Sequence, residues 1–167
     1  MATNPIIIGI DPGYDRVGLA IGRKTSNAWQ LLDYRCLQTD KNHTLFERYQ
    51  HIATELEQLI ITHRVQEAAI ESLFWFKNQS TALDVSEARG VIIATLLRQQ
   101  IQISEYTPLQ IKQAVTGYGR SDKQAVAKMV RLELGLTDTI IDDTIDALAA
   151  LICHQTARRQ TKIKQQL

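Results

Sequence analysis

Hydrophobic positions near the N-terminus run almost without a break, Ile6-Ile7-Ile8-Gly9-Ile10, and stop abruptly at Asp11. A continuous β-branched run of this length predicts a strand covered on both faces of a sheet. Pro12 and Gly13 follow at the two central positions of an expected type II turn. Residues 17–22 and 29–37 read as two further strands, and their close spacing predicts a three-strand antiparallel meander. From residue 44 the period changes. Leu45, Tyr49, Ile52, Leu56, Leu59 and Ile60 step by three and four, which predicts an amphipathic helix over 44–61. Residues 65–71 return to a strand pattern and end in Glu71 after Ala68-Ala69-Ile70. Reached through a helix, this strand is expected to lie parallel to the first. A second helix over 81–99 carries Leu83, Ala88, Val91, Ile92, Thr95 and Leu96, and residues 101–106 make a short fifth strand. Thr107-Pro108 marks the next helix start, and Ser121 with Gln124 has the spacing of a capping box. The last helix is expected over 140–158, followed by a frayed basic tail at 159–167.

This order predicts an α/β protein: a mixed five-stranded sheet, made of the meander plus two parallel strands, flanked by helices on both faces. One domain over residues 1–158 accounts for the whole pattern. The chain has 167 residues with 44% hydrophobic and 22% charged side chains, 8 Gly and 3 Pro, which excludes collagen-like and low-complexity classes. Its longest apolar runs, residues 5–10 and 147–153, fall far below the ~18 residues a membrane span needs, so no membrane partner is expected. Met1-Ala2-Thr3-Asn4 has no basic stretch of the signal-peptide kind. Two cysteines, Cys36 and Cys153, without a CxxC argue against a disulfide scaffold or structural zinc and suit a reducing cytoplasm. Both are expected to be small buried apolar residues.

Two expected strands end in an acid, Asp11 and Glu71. If the first and fourth strands are parallel neighbours, both acids emerge at one edge of the sheet, where such folds place ligands. In the last helix Asp143 and Asp146 stand three residues apart, on one face. Four carboxylates at one spot repel, and a hard divalent cation with oxygen ligands, Mg²⁺ or Mn²⁺, relieves the repulsion. Read singly, the same acids are a turn former at Asp11 and a helix cap at Asp142-Asp143. The formal net charge of +1 gives no hint of a polyanion partner. With four of the 18 acids set aside in a pocket, the remaining 14 face 19 basic residues, which permits one.

The chain resembles the RuvC-type Holliday-junction resolvases of the ribonuclease H-like superfold over nearly its whole length. The resemblance rests on four ordered blocks. Gly9-Ile10-Asp11-Pro12-Gly13 with Gly18 is the first. Ile70-Glu71, Phe74, Lys77-Asn78, Ser80-Thr81-Ala82-Leu83 and Ala88-Arg89-Gly90 form the second. Lys112, Gly117-Tyr118-Gly119 and Lys123 form the third, and Asp143-Thr144-Ile145-Asp146-Ala147-Leu148-Ala149 with His154 the fourth. The resemblance implies a crossover junction endodeoxyribonuclease of DNA recombination and repair, in which Asp11, Glu71, Asp143 and Asp146 bind the catalytic metals. It further implies two Mg²⁺ ions per active site, with Mn²⁺ as a substitute, a homodimer, four-way junction DNA as substrate, and cooperation with the RuvA–RuvB branch-migration complex. The reaction it implies is a symmetric nicking of two strands of like polarity that leaves 5′-phosphate and 3′-hydroxyl ends.

Several neighbouring residues fit that reading. Lys112 and Lys123 flank a loop whose Gly117 and Gly119 let backbone approach a phosphate, with Lys123 expected near the scissile group. Phe74 is expected to stack on junction bases, beside Lys77 and Asn78 as DNA contacts; Trp75 and Phe76 have no assigned role. Arg89 is a further expected DNA contact. Gly90 lies in mid-helix, a cost that a close contact with the core or across a dimer axis offsets. His154 is expected to support the fold. Two other readings remain open on the residues alone: another ribonuclease H-like nuclease acting on RNA or RNA–DNA hybrids, and a noncatalytic junction-binding module.

Overall fold

A computed structural model describes residues 4–26, 28–72 and 81–164, with side chains through residue 161. The five strands are β1 (Ile7–Asp11), β2 (Arg16–Lys24), β3 (Trp29–Gln38), β4 (Glu67–Glu71) and β5 (Gln102–Tyr106). They form one sheet in the order β3-β2-β1-β4-β5. β1, β2 and β3 pair antiparallel, whereas β1 with β4 and β4 with β5 pair parallel. The helices are α1 (Leu45–His63), α2 (Ala82–Arg98), α3 (Pro108–Thr116), α4 (Lys123–Leu134) and α5 (Asp142–Lys164). The expected mixed sheet, with helices on both faces, is the one observed.

The alternation of side chains along the strands makes the two faces unlike. Ile8, Ile10, Val17, Leu19, Ile21, Ala68 and Ile70 pack toward α1 and α2 in one core. The opposite face offers Ile7, Ala20 and Ala69, and α5 fills it with Ala147, Leu148, Ala150 and Leu151, backed by Ile111 of α3 and Val126 and Val130 of α4. Small residues on this face let a helix backbone lie almost on the strands. A Cβ on Gly9 would collide with the Ala147 carbonyl oxygen, and one on Gly18 with the Asp143 carbonyl oxygen. α5 is buried nearly all round from Thr144 to Gln155 because it lies between the sheet and the α3–α4 layer.

Several local expectations are corrected. Gly13 is not in the left-handed region, so residues 11–14 do not form the type II turn; a Cβ there would instead collide with the Arg16 carbonyl oxygen. That segment is held by Arg48 of α1, a buried residue whose guanidinium reaches Asp15 Oδ1 at 2.7 Å, the Tyr14 carbonyl at 3.3 Å and Thr39 Oγ1 at 2.7 Å. α4 starts one residue later than the capping-box spacing suggests. Asp122 caps it by accepting from the Ala125 N–H, while the Ser121 hydroxyl donates to the Tyr118 carbonyl. The last helix begins at Asp142, not residue 140, and runs past residue 158 to Lys164, since no Gly or Pro interrupts it. Gly90 has no atom within 4 Å of a built Cβ, so no contact within the described residues explains it. Leu83, expected among the apolar positions of α2, is 68% exposed.

Candidate active site

Strand register sets the site. Ile10 of β1 pairs with Ile70 of β4, so Asp11 and Glu71 stand one step further along, at the same sheet edge. Both follow the parity of Ile7, Gly9 and Ala69 and therefore face α5. Across β1 and β2, Asp11 pairs with Gly18, whose missing side chain lets the first turn of α5 settle against Asp11. That approach brings Asp143 and Asp146 to the two strand ends. Asp142, the alternative partner in the doublet, is exposed.

The electrostatics of the site follow from that approach. Burial, then the charges of Asp146, Glu71 and Asp143, push the Asp11 carboxyl up to about 8. Burial and the Asp146 charge push Glu71 up to about 7. Asp146 is also raised, chiefly by burial, while Lys123 works against that rise. Lys123 Nζ lies 3.6 Å from Asp146 Oδ2, and that carboxylate holds the lysine above its ordinary range. Glu71, Asp146, Lys112 and Lys123 line one cleft of about 210 Å³ with Pro108, Ile111 and Val126.

The described residues contain no group of three or more Asp, Glu, His or Cys side chains already arranged to hold an ion. The acids are near enough to feel one another's charge, but Lys123 and Arg16 hold two of them. The fit to a metal therefore rests on donor chemistry. Four carboxylates, three of them driven toward protonation by burial and by one another's charge, suit a hard divalent cation.

Two neighbours of the site escaped the sequence reading. Arg16 Nε lies 3.1 Å from Asp143 Oδ2, and the Cys36 thiol donates to the same oxygen across 3.8 Å. Cys36 is thus not the buried apolar residue expected. Burial and the Asp143 charge push its thiol up, which keeps it a protonated donor. Gly18 pairs with Cys36, and Arg16 lies two residues before Gly18, so all three share the face that α5 covers. Strand parity is the signal that finds them once the register of β2 and β3 is known.

Other expected site residues fall elsewhere. Arg89 is mostly covered, and its guanidinium pairs with the half-exposed Glu105 of β5 at 2.7 Å. Phe74, Lys77 and Asn78 lie outside the described residues, as do Trp75 and Phe76. His154 is structural, as expected. A ring protonated at Nε2 donates to Glu67 Oε2 at 2.7 Å and accepts from the Tyr106 hydroxyl at Nδ1, also 2.7 Å. Arg158 closes the same network at 3.0 Å from Glu67.

The family model described as crossover junction endodeoxyribonuclease RuvC matches residues 7–154. The RuvC of Petrotoga mobilis is 46% identical over 158 residues, covering 94% of this chain and 97% of the relative. That of Caldicellulosiruptor saccharolyticus is 43% identical over 150 residues, covering 89% and 90% respectively. Among solved structures, Thermus thermophilus RuvC in complex with Holliday junction substrate superposes with a TM-score of 0.87 at 28% identity, covering 94% of this chain and 96% of that one. With a matching model over most of its length and relatives of this identity, the chain belongs to the crossover junction endodeoxyribonuclease RuvC family.

Proposed function

We propose that the chain is a metal-dependent endonuclease that resolves Holliday junctions in DNA recombination and repair. The observation that carries this reading is the meeting of Asp11, Glu71, Asp143 and Asp146 at one sheet edge, beside a cleft lined by Lys112 and Lys123. Asp11, Glu71, Asp143 and Asp146 would hold two Mg²⁺ ions, with Mn²⁺ as substitute, whose chemistry would be to activate water and stabilise the 3′ oxygen in an in-line displacement at phosphorus. The protein's own part is to hold four oxygens on rigid elements, two on strand ends and two on a buried helix turn, so that little reorganisation accompanies reaction. Lys123 stands over Asp146, where its ammonium meets the scissile phosphate group, and Lys112 contacts the strand from the other wall of the cleft. Phe74, Lys77 and Asn78 complete the DNA contacts. Arg89 holds α2 to β5 through Glu105.

A four-way junction presents two equivalent strands of like polarity, which a two-fold dimer with two sites matches. The exposed line of Leu83, Gly90 and Leu97 on α2, seven residues apart, supports a homodimer with α2 at the axis, where Gly90 permits close helix approach. The two cores on one shared sheet support a single nuclease domain. Among the described residues no helix is long and apolar enough to cross a membrane. Action in the cytoplasm, with the RuvA–RuvB complex moving the branch point, follows from the family reading.

Incision mapping on an end-labelled mobile junction in Mg²⁺ tests the reading. Paired nicks at symmetric positions with ligatable 5′-phosphate ends are expected, and Glu71→Gln or Asp146→Asn should abolish them while junction binding survives. Faster cleavage of an RNA–DNA hybrid, or junction binding without nicking by the wild type, would overturn it.

A further inference from the structure

Arg16 meets the acidic cluster through a single, half-exposed ion pair. One nitrogen, Nε, meets Asp143 Oδ2 at 3.1 Å, and the side chain remains 53% exposed. Arg48, thirty-odd positions on, is the contrast: buried, bonded to Asp15, Thr39 and the Tyr14 carbonyl, and stacked over the Tyr14 ring at 4.8 Å. Arg48 fixes the backbone that leads into β2, and Arg16 is the first residue of that strand. Its backbone is therefore held in the strand while its guanidinium stays half-exposed to solvent. Asp143 lies in the first turn of α5, and Lys123 makes its own contact one turn on, at Asp146. Two half-free cations thus cap two of the four acids from different elements.

We propose that Arg16 alternates between two anionic partners: Asp143 while the acidic cluster is free of metal, and a backbone phosphate of the bound DNA once Asp143 is engaged by a cation. This rests on the reading of Asp143 as a metal ligand. Exposed, single-point ion pairs are weak, so a divalent cation displaces the guanidinium readily. Released, the planar guanidinium presents a fork that matches phosphate oxygens. The exchange keeps the charge of the site near balance in both states: Arg16 offsets repulsion among the carboxylates without metal, and offsets the incoming phosphate with it.

Two readouts besides cleavage test this. Mn²⁺ titration of the DNA-free protein, followed by electron paramagnetic resonance, should show Arg16→Ala binding Mn²⁺ about two- to fivefold tighter than wild type, since an exposed pair of ordinary strength no longer competes. In Ca²⁺, which allows binding to be read apart from cleavage, Arg16→Ala should lower the slope of log affinity for a four-way junction against log salt by about one, the signature of one lost phosphate contact. Arg16→Lys should restore the salt slope. Unchanged or weaker Mn²⁺ affinity in Arg16→Ala overturns the proposal, as does an unchanged salt slope. Asp143→Asn separates the two layers. If it weakens Mn²⁺ binding while Arg16→Ala has no effect, the metal reading stands and the exchange falls; if Asp143→Asn leaves Mn²⁺ binding unchanged, both fall.

Discussion

Burial raises both strand-end acids above their ordinary values of 3.8 and 4.5: with the charges of Asp146, Glu71 and Asp143 it brings Asp11 to about 8, and with that of Asp146 it brings Glu71 to about 7. Each acid therefore holds its proton more tightly in the folded state than in the unfolded chain. The stability this confers on the metal-free protein is full below the unfolded values and is lost as pH rises through the folded ones. Between about pH 5 and about pH 8 the wild type in EDTA should lose roughly 2–5 kcal/mol, the scale set by shifts of this size. Asp11→Asn removes the largest part of that dependence. Its thermal midpoint in EDTA should exceed the wild type's at about pH 8, with the gap narrowing toward about pH 5, while Mg²⁺-dependent cleavage is lost. Equal midpoints at the higher pH would mean that Asp11 does not carry the repulsion. Lys123 and Arg16 show at the same scale how the chain tolerates the cluster without metal, one cation on each of two acids.

At the scale of elements, α5 and the two strands beneath it decide whether a site exists. Gly9 and Gly18 leave the helix backbone in contact with the sheet, and a Cβ at either meets a backbone carbonyl that has no means of stepping aside. Gly18→Ala should cost about 3 kcal/mol, the upper end of the usual range for overpacking, because the clash is with main chain rather than with a flexible side chain. Cleavage should fall with it, since moving α5 carries Asp143 and Asp146 away from Asp11. Urea unfolding together with junction-nicking assays checks both effects, and a fully active, fully stable Gly18→Ala would refute the close-packing account. The pattern of small residues on one strand face and large ones on the other was visible in the sequence. The continuous run of β1 concealed it, because a strand buried on both faces does not advertise which face is which. Asp122 displacing Ser121 as a cap, and Gly13 serving close approach rather than a turn, have the same origin. Local signals named the residue type, and neighbouring backbone chose its use.

On the scale of the whole molecule, the acidic edge lies on the α5 side of the sheet, and the exposed α2 line lies on the layer that covers the other side. That separation leaves the cleft open when α2 is occupied by a second copy. Leu83→Glu combined with Leu97→Glu places like charges about the expected axis and should convert a dimer to a monomer in analytical ultracentrifugation. Both positions are exposed, at 68% and 61%, so the fold itself should keep its thermal midpoint. Paired incision of the junction should give way to uncoupled single nicks. A double variant that stays dimeric would place the two-fold elsewhere.

What the sequence determined by itself was the order of strands and helices, the parallel crossover, and which acids are expected to meet at the sheet edge. Each of these is written in local periodicity, in residues that end a strand, or in motifs read along the chain. Only the tertiary structure decided which side chains stand beside those acids. Arg16 and Cys36 reach Asp143 because antiparallel register places them on the α5 face, and Arg89 turns to Glu105 because β5 lies beneath α2. Contacts between residues distant in the chain depend on register and on how near a helix can approach a sheet, and neither quantity is encoded in any one segment.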